Sequence, residues 1–390
     1  MGSMPDLAYA AARTVAPAIH AHLAHHLRIA VEREEPNLAS LPSVETLASM
    51  VDVAFWASLR REEGYLPRIS LAAVSPHETP HPLHFEQPLP LDAAALTRVA
   101  PAVERPGVHL AVAEADGRLQ VWGIARTMPK YACVVEVAEP GLLVIKHHRG
   151  EELAKYANLA VLQGDRVRIV DEGASTMPDC PALLSTLLGF ESAGAWVGSM
   201  GILVQLAVSM RAHRRGGLLL VVPPDSTGWR DSIVQPVLYE VRPPFAELSA
   251  LTLPFSDPGG GGVATEVAQR ASRDELTRAI EAVAGLTAVD GATVLTSDYR
   301  LLAFGAKVTR RRGAPTVEQV TLTEPIRGGK AEIVGPSQLG GTRHFAGAQF
   351  VHDQRDAVAL VASQDGRFTI FAWSPCERMV HAHRVEALLL

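Results

Sequence analysis

A chain of 390 residues that is 47% hydrophobic can bury more than one core, and its length suggests two or three domains. Its 36 basic and 42 acidic residues leave a net charge of −6, which excludes a global basic field for nucleic acid or an anionic membrane and confines any polyphosphate binding to a local site. The three cysteines, Cys133, Cys180 and Cys376, are too far apart for a zinc pattern and odd in number, which fits reduced thiols in a cytoplasmic protein.

Residues 1–3 ahead of Met4 read as a cloning remnant, with no long apolar leader behind them. Leu, Ala and Val recur at three- and four-residue steps through 16–31 and 44–59, predicting helices within residues 5–65. His20, His22, His25 and His26 lie on the first of these. Helical spacing sets His22 and His26 on one side, as a metal would need, but without an acidic or Cys partner a solvated helix face is the better reading. The Pro/His-rich stretch 76–90 reads as a loop with His77, His81 and His84 at the surface. Short β-favouring runs at 108–114, 119–126, 132–137 and 142–146, separated by Asp-Gly, Met-Pro and Pro-Gly turn pairs, predict a small antiparallel sheet. Residues 151–162 then read as a helix and 167–171 as a strand. Together these make an N-terminal α+β module over 5–175 that holds no catalytic constellation and suits a regulatory or sensory role, with structural dimerisation as the alternative.

Ser, Met-Pro and Asp-Cys-Pro break all periodicity at 173–181 and mark a domain boundary. Residues 183–214 read as helical; the most apolar part, 193–210, contains Trp196, Ser199 and Gln205 and is too polar and short for a membrane span. The basic run 211–215 suits the C-terminal end of a buried helix. A buried strand at 218–222 ends at Pro223-Pro224-Asp225. The glycine run 257–262 lacks the Lys-Ser/Thr ending of a phosphate loop and reads as a flexible connection. An amphipathic helix at 273–284 leads through Gly285 towards a turn at Asp290. Strand pairs 292–295 with 301–305, and 357–362 with 368–373, read as a β-meander with short inserts. Between them the stretch 305–340, with Arg310, Arg311, Arg312, Arg327 and Lys330, reads as a long loop, and 342–351 as a helix. The expected class is α/β, a mixed central β-sheet flanked by helices, preceded by the smaller α+β domain.

Two segments carry the chemistry. Asp290-Gly291-Ala292 is a turn with one carboxylate running into a buried strand, and Gly340-Gly341-Thr342-Arg343-His344 offers backbone N–H groups beside Thr, Arg and His donors. A carboxylate facing such donors suits a metal-bound, phosphate-bearing substrate, because Arg presents a planar fork to phosphate oxygens and Asp holds the cation. A helix starting at Gly341-Thr342 adds its free N–H groups and partial positive charge. Taken singly, Asp-Gly is most often only a turn and Thr-Arg-His can be a helix cap.

In order and spacing, Asp290-Gly291-Ala292, then Gly341-Thr342-Arg343-His344-Phe345, then Ser363-Gln364-Asp365-Gly366, behind an opening strand that follows Arg214-Arg215-Gly216-Gly217, resemble the diadenylate cyclase domain. That family carries Asp-Gly-Ala, Gly-Thr-Arg-His-Arg and a strand ending in Ser-Glu-Glu-Thr-Gly. The likeness covers roughly 190–390, so the catalytic domain is expected over 183–390. Phe345 replaces the family's second Arg, Gln364-Asp365 replaces its paired Glu, and the 305–340 loop is longer than the family needs. The resemblance implies condensation of two ATP molecules into cyclic di-AMP with release of two pyrophosphates, across a homo-oligomer whose catalytic domains face each other, with Mg²⁺ or Mn²⁺. It implies catalytic roles for Asp290, Arg343 and His344, nucleotide contacts from Gly291, Ala292, Gly305, Val308, Thr342 and Ser363, and metal binding by Asp290 and Asp365. Val308 is the residue expected against adenine. No nucleic acid or membrane partner is expected. Phe345 and Gln364 motivate an alternative, a nucleotide-binding sensor of the same fold with little or no turnover, and the size of the N-terminal module motivates a second, a ligand-responsive signalling scaffold.

Overall fold

The computed structural model describes residues 8–149, 156–176, 179, 181, 184, 200–252 and 263–390. The chain divides into two units, Met1–Val170 with Leu390, and Asp171–Leu389. The glycine run 257–262 and Cys180 lie outside the described residues, as does most of the predicted helix 183–214.

The first unit opens with α1 (Ala10–Glu32) and α2 (Val44–Ser58). Ala12, Val15, Ala16, Ile19 and Leu23 bury one face of α1 at the predicted spacing, and the Ser43 hydroxyl caps α2 by accepting from Thr46 N–H at 3.0 Å. The elements β1 (Ser70–Ala73), β2 (Leu83–Pro90), α3 (Ala93–Val99), β3 (His109–Ala115), β4 (Arg118–Ala125), β5 (Cys133–Glu139), β6 (Leu142–His148), β7 (Tyr156–Gln163) and β8 (Arg166–Ile169) follow. The eight strands form one sheet in the order β2-β4-β3-β1-β5-β6-β7-β8, with β1 parallel to β3 and all other pairs antiparallel.

Four expectations change here. The sheet is larger than expected and mixed: β1, β2 and β7 join the expected strands, and β1 supplies a parallel pairing. Within the expected loop 76–90, Leu83–Pro90 is an edge strand on β4; an edge tolerates its prolines because one side of the strand needs no hydrogen bonds. The expected helix 151–162 is instead strand β7 over its described part, with six consecutive buried residues. A short apolar run reads equally as strand or buried helix, and pairing with β6 and β8 decides it. Finally, of the four helix histidines only His25 is exposed; His20, His22 and His26 are half-buried, and the His22 and His26 rings lie 4.5 Å apart.

The second unit comprises α4 (Met200–Ala212), β9 (Gly217–Val222), β10 (Tyr239–Phe245), α5 (Glu247–Thr252), α6 (Val263–Leu286), β11 (Ala292–Thr296), β12 (Leu301–Ala306), β13 (Val320–Thr323), β14 (Glu332–Val334), α7 (Pro336–Leu339), α8 (Thr342–Asp353), β15 (Val358–Ala362), β16 (Phe368–Ser374) and β17 (Met379–Arg384). Its nine-stranded sheet runs β10-β12-β11-β9-β15-β16-β17-β13-β14, so the class is the expected mixed α/β. The two predicted hairpins are not consecutive in a meander, because β9 lies between them, parallel to β11 and antiparallel to β15. The stretch 305–340 is not all loop either: it supplies β13 and β14 at the far edge.

Every residue of β9 is buried, as a central strand covered on both faces requires. Leu218, Leu220 and Val222 join Phe350 and Val351 of α8 in one core, while Leu219 and Val221 are buried on the other face. Helix α8 packs across β9, β15, β16 and β17, and Gly347 allows this approach, since a Cβ there would meet Val361 and Phe371 side chains at 3.1 and 3.3 Å. No described helix is long and apolar enough to cross a membrane.

Candidate functional site

Strand register brings the motifs together. Leu219 pairs with Thr293 and Gly217 with Ala362, so the starts of β9 and β11 and the end of β15 share one end of the sheet. Asp290 stands in the turn entering β11, and Ser363–Asp365 in the turn leaving β15, two strands away at roughly 5 Å per strand. The first turn of α8 covers the same end: a Cβ added at Gly216 would lie 3.0 Å from Nη1 of Arg343 and 3.4 Å from the Ala362 carbonyl. Gly216 has φ +72°, so this corner needs glycine both for its backbone and for room beside the guanidinium.

A cavity of about 440 Å³ opens here. Of the motif residues it is lined by Asp290, Gly291, Ala292, Val308, Thr342 and Arg343, and by Phe345 at the departure from the family pattern. Leu218, Ala306 and Ala346 make part of its wall apolar, while Lys307, Arg310 and Gln349 add polar groups. Three cations against one carboxylate make the lining suited to an anion, and the apolar wall leaves space for a flat organic group.

The cations are held differently. Arg310 donates from Nη1 to the Thr316 hydroxyl at 3.0 Å. Lys307 donates to the Asp290 carboxylate at 2.5 Å and to the Asp290 carbonyl at 3.1 Å. Arg343 is half-buried, and among the described residues no ion pair engages it. The Lys307 hydrogen bond and charge, with Arg343 adding to them, hold the Asp290 carboxyl below the usual carboxylate range, so it is ionised at neutral pH. Asp290 itself is 91% exposed. Gln349 locks the neighbouring loop by accepting from Val317 N–H at 2.9 Å and donating to Pro315 O and to Asp353 at 2.9 Å.

Four of the residues implied by the resemblance are not in the lining. His344 is 2% exposed, against Gly340 and with its ring 6.3 Å from that of Phe371. Burial, with the charge of Arg367 adding to it, pushes its pKa down to about 4, so it is neutral. Gly305 (φ +62°) lies under Tyr239 of β10, and a Cβ on Gly291 would meet the Gly305 carbonyl carbon at 2.4 Å; the first glycine is required by its backbone and the Tyr239 ring, the second by the close approach to β12. Ser363 hydrogen-bonds Asp365, whose carboxylate also pairs with Arg367 at 2.8 Å. Burial alone would raise the Asp365 carboxyl, but these bonds and the Arg367 charge outweigh it and hold it low.

Lys307 and Gln349 are the site residues that motif reading passes over. The hairpin register would have found the first, because pairing of Ala292 with Ala306 sets Lys307 across from the Asp290-Gly291 turn. Gln349 lies two helical turns past Thr342 on α8, a spacing that places both on one side.

As for a divalent metal, no three His, Cys, Asp or Glu ligand atoms converge among the described residues of this unit. Of the two carboxylates implied by the resemblance only Asp290 lines the cavity, where Mg²⁺ is commonly held by one or two carboxylates together with substrate phosphates and water. Asp365 is engaged by Arg367.

A family model described as "Probable sensor domain DACNV" matches residues 36–126, which run from before α2 to the end of β4 in the first unit and make up less than half of the chain. No curated protein matches. The family match is consistent with an N-terminal sensor module of a diadenylate-cyclase-type protein.

Proposed function

We propose that the second unit binds ATP in the cavity at the β9–β11 end of its sheet and condenses two ATP molecules into cyclic di-AMP, under the influence of a sensor module in the first unit. The observation that carries this reading is the half-buried Arg343, without an ion pair among the described residues, in the same cavity as ionised Asp290 at the start of a 12-residue helix. Arg343, Thr342 and the first N–H groups of α8 take the phosphates, and the base lies against Val308 and the apolar wall. Asp290 orients the ribose 3′-hydroxyl for in-line attack on the α-phosphorus of the nucleotide held by a facing partner domain, and pyrophosphate leaves. Its lowered pKa makes it a weak base, so positioning is its main contribution. Mg²⁺ or Mn²⁺, held by Asp290 and phosphate oxygens, would neutralise phosphate charge. His344 supports the first turn of α8 from the core side as a neutral ring.

Two observations favour a second reading. The Asp290 carboxylate is engaged by Lys307, and Phe345 stands where another cation would help, which suits a domain that binds nucleotide without turnover. Incubating the protein with ATP and Mg²⁺ or Mn²⁺ and resolving the products by mass, alongside calorimetry of ATP binding, separates the two. Cyclic di-AMP supports the cyclase, binding without product supports the sensor, and absence of both removes the site.

A further inference from the structure

Phe345 leaves the phosphate cluster one cation short of the family pattern, and the same cavity holds a cation from a different element. Lys307 sits at the end of β12, opposite the Asp290 turn, with its ammonium on the Asp290 carboxylate at 2.5 Å. Half of the Lys307 side chain and nearly all of that of Asp290 are exposed, so the pair is solvated, screened by salt and easily exchanged. A lysine on its flexible four-carbon stem can swing to a stronger anion nearby without backbone movement, while Arg310 in the same cavity donates to the Thr316 hydroxyl. A triphosphate carries more charge than one carboxylate and would win the ammonium. Its transfer would also free the Asp290 oxygens for the hydroxyl or cation they are to hold.

We infer that Lys307 is a phosphate-contacting residue of the nucleotide site, parked on Asp290 until a polyphosphate ligand draws it away, and that it replaces the cation lost at Phe345. This rests on the reading of the cavity as an ATP site. It gives the ligand a second phosphate anchor on the β12 side, facing Arg343 on the helix side, and makes ligand entry and exposure of the Asp290 carboxylate one event.

The test is calorimetric titration of the full chain with ATP and Mg²⁺ at two salt concentrations, for wild type, Lys307→Met, Lys307→Arg, Arg310→Gln and the double variant Lys307→Met/Phe345→Arg. Lys307→Met should lose about tenfold in ATP affinity and show a shallower salt dependence. Lys307→Arg should keep most of the affinity, and Arg310→Gln should lose less than Lys307→Met. Because Phe345 is 40% exposed and lines the cavity, an arginine there need not bury its charge, so the double variant should recover affinity from the helix side. If Lys307 only clamps Asp290, Lys307→Met binds ATP·Mg²⁺ as well as or better than wild type, and the inference is overturned while the ATP site stands. If wild type itself fails to bind ATP, the site reading falls and this inference with it.

Discussion

Asp290 and Arg343 meet at one cavity from opposite ends of the sequence motif pattern, and their surroundings make different demands on them. Asp290 is almost fully exposed, so its charge contributes little to the fold and its removal tests the site and not the stability of the chain. Asp290→Asn keeps the shape and loses the charge; cyclic di-AMP formation should fall at least about a hundredfold while the melting temperature stays within a degree or two of wild type. Wild-type product yield from this variant would remove Asp290 from the reaction. Arg343 is half-buried, so a phosphate meets its guanidinium with less solvent screening than on an open surface. Arg343→Ala should weaken ATP binding by about 1.5–3 kcal/mol, the scale of a charge-assisted hydrogen bond. Unchanged affinity in a calorimetric titration would show that the nucleotide does not touch it. The sequence singles out both residues through the order and spacing of their motifs, since taken alone an Asp-Gly pair is most often a turn and Thr-Arg-His can be a helix cap, and the structure brings both to one cavity. The side that His344 takes was not legible: it follows Arg343 by one position, about 100° around the helix, and that rotation carries it into the core beside Phe371.

At the level of elements, what the sequence revealed follows from how locally each element is determined. Strand β9 and helix α8 agree with the expectation nearly to the residue, since Gly and Pro-Pro bound the apolar run at a strand's length, and a Gly-Thr start is followed by helical spacing. Strands β2 and β7 differ from the expected loop and helix, and β1, β10, β13, β14 and β17 have no counterpart in the expectation, because the identity of these strands depends on tertiary pairing. Tertiary packing also sets a pH response that motif reading could not supply. His344 and His383 are both held near a pKa of about 4, mainly by burial, with Arg367 adding to the effect on the first and His381 on the second. An unfolded chain binds protons at these groups around 6.5, whereas the folded one stays neutral down to about 4. Above pH 6.5 both states are neutral and the groups cost nothing; as pH falls from about 6.5 to 4 the unfolded state alone gains protons, so stability falls with it. Denaturant melts of the full chain should show decreasing stability across that window, and His344→Gln should flatten part of the slope. A pH-independent midpoint between 6.5 and 4.5 would mean that neither ring is held neutral by the fold.

For the whole molecule, the proposed condensation of two ATP would require more than one copy of the second unit. On the proposed reading each site takes one triphosphate, whose α-phosphorus must meet a 3′-hydroxyl presented by another nucleotide, and a cavity of about 440 Å³ is of the size that takes a single small-molecule ligand. A cyclase of this kind is therefore a pair when it turns over, and pairing between like-charged chains of net charge −6 is opposed at long range, more so at low salt. The rate of cyclic di-AMP formation per protein chain should rise with protein concentration until pairing is complete, and should rise more readily in moderate salt than in dilute buffer. ATP binding per chain, measured in the same series, should show no such dependence, because each cavity is built within one chain from β11, β12 and α8. Mixing wild type with a fivefold excess of Asp290→Asn chains should cut the yield by more than dilution alone, since about five in six wild-type chains would then be paired with a chain that lacks the orienting carboxylate. The decisive comparison is light scattering beside the rate measurement: a chain that stays monomeric across a hundredfold concentration range yet makes cyclic di-AMP at a constant specific rate would exclude the face-to-face arrangement. A chain that pairs and binds ATP without making product would shift the balance to the nucleotide-binding sensor, with the first unit and the cavity communicating through occupancy instead of turnover.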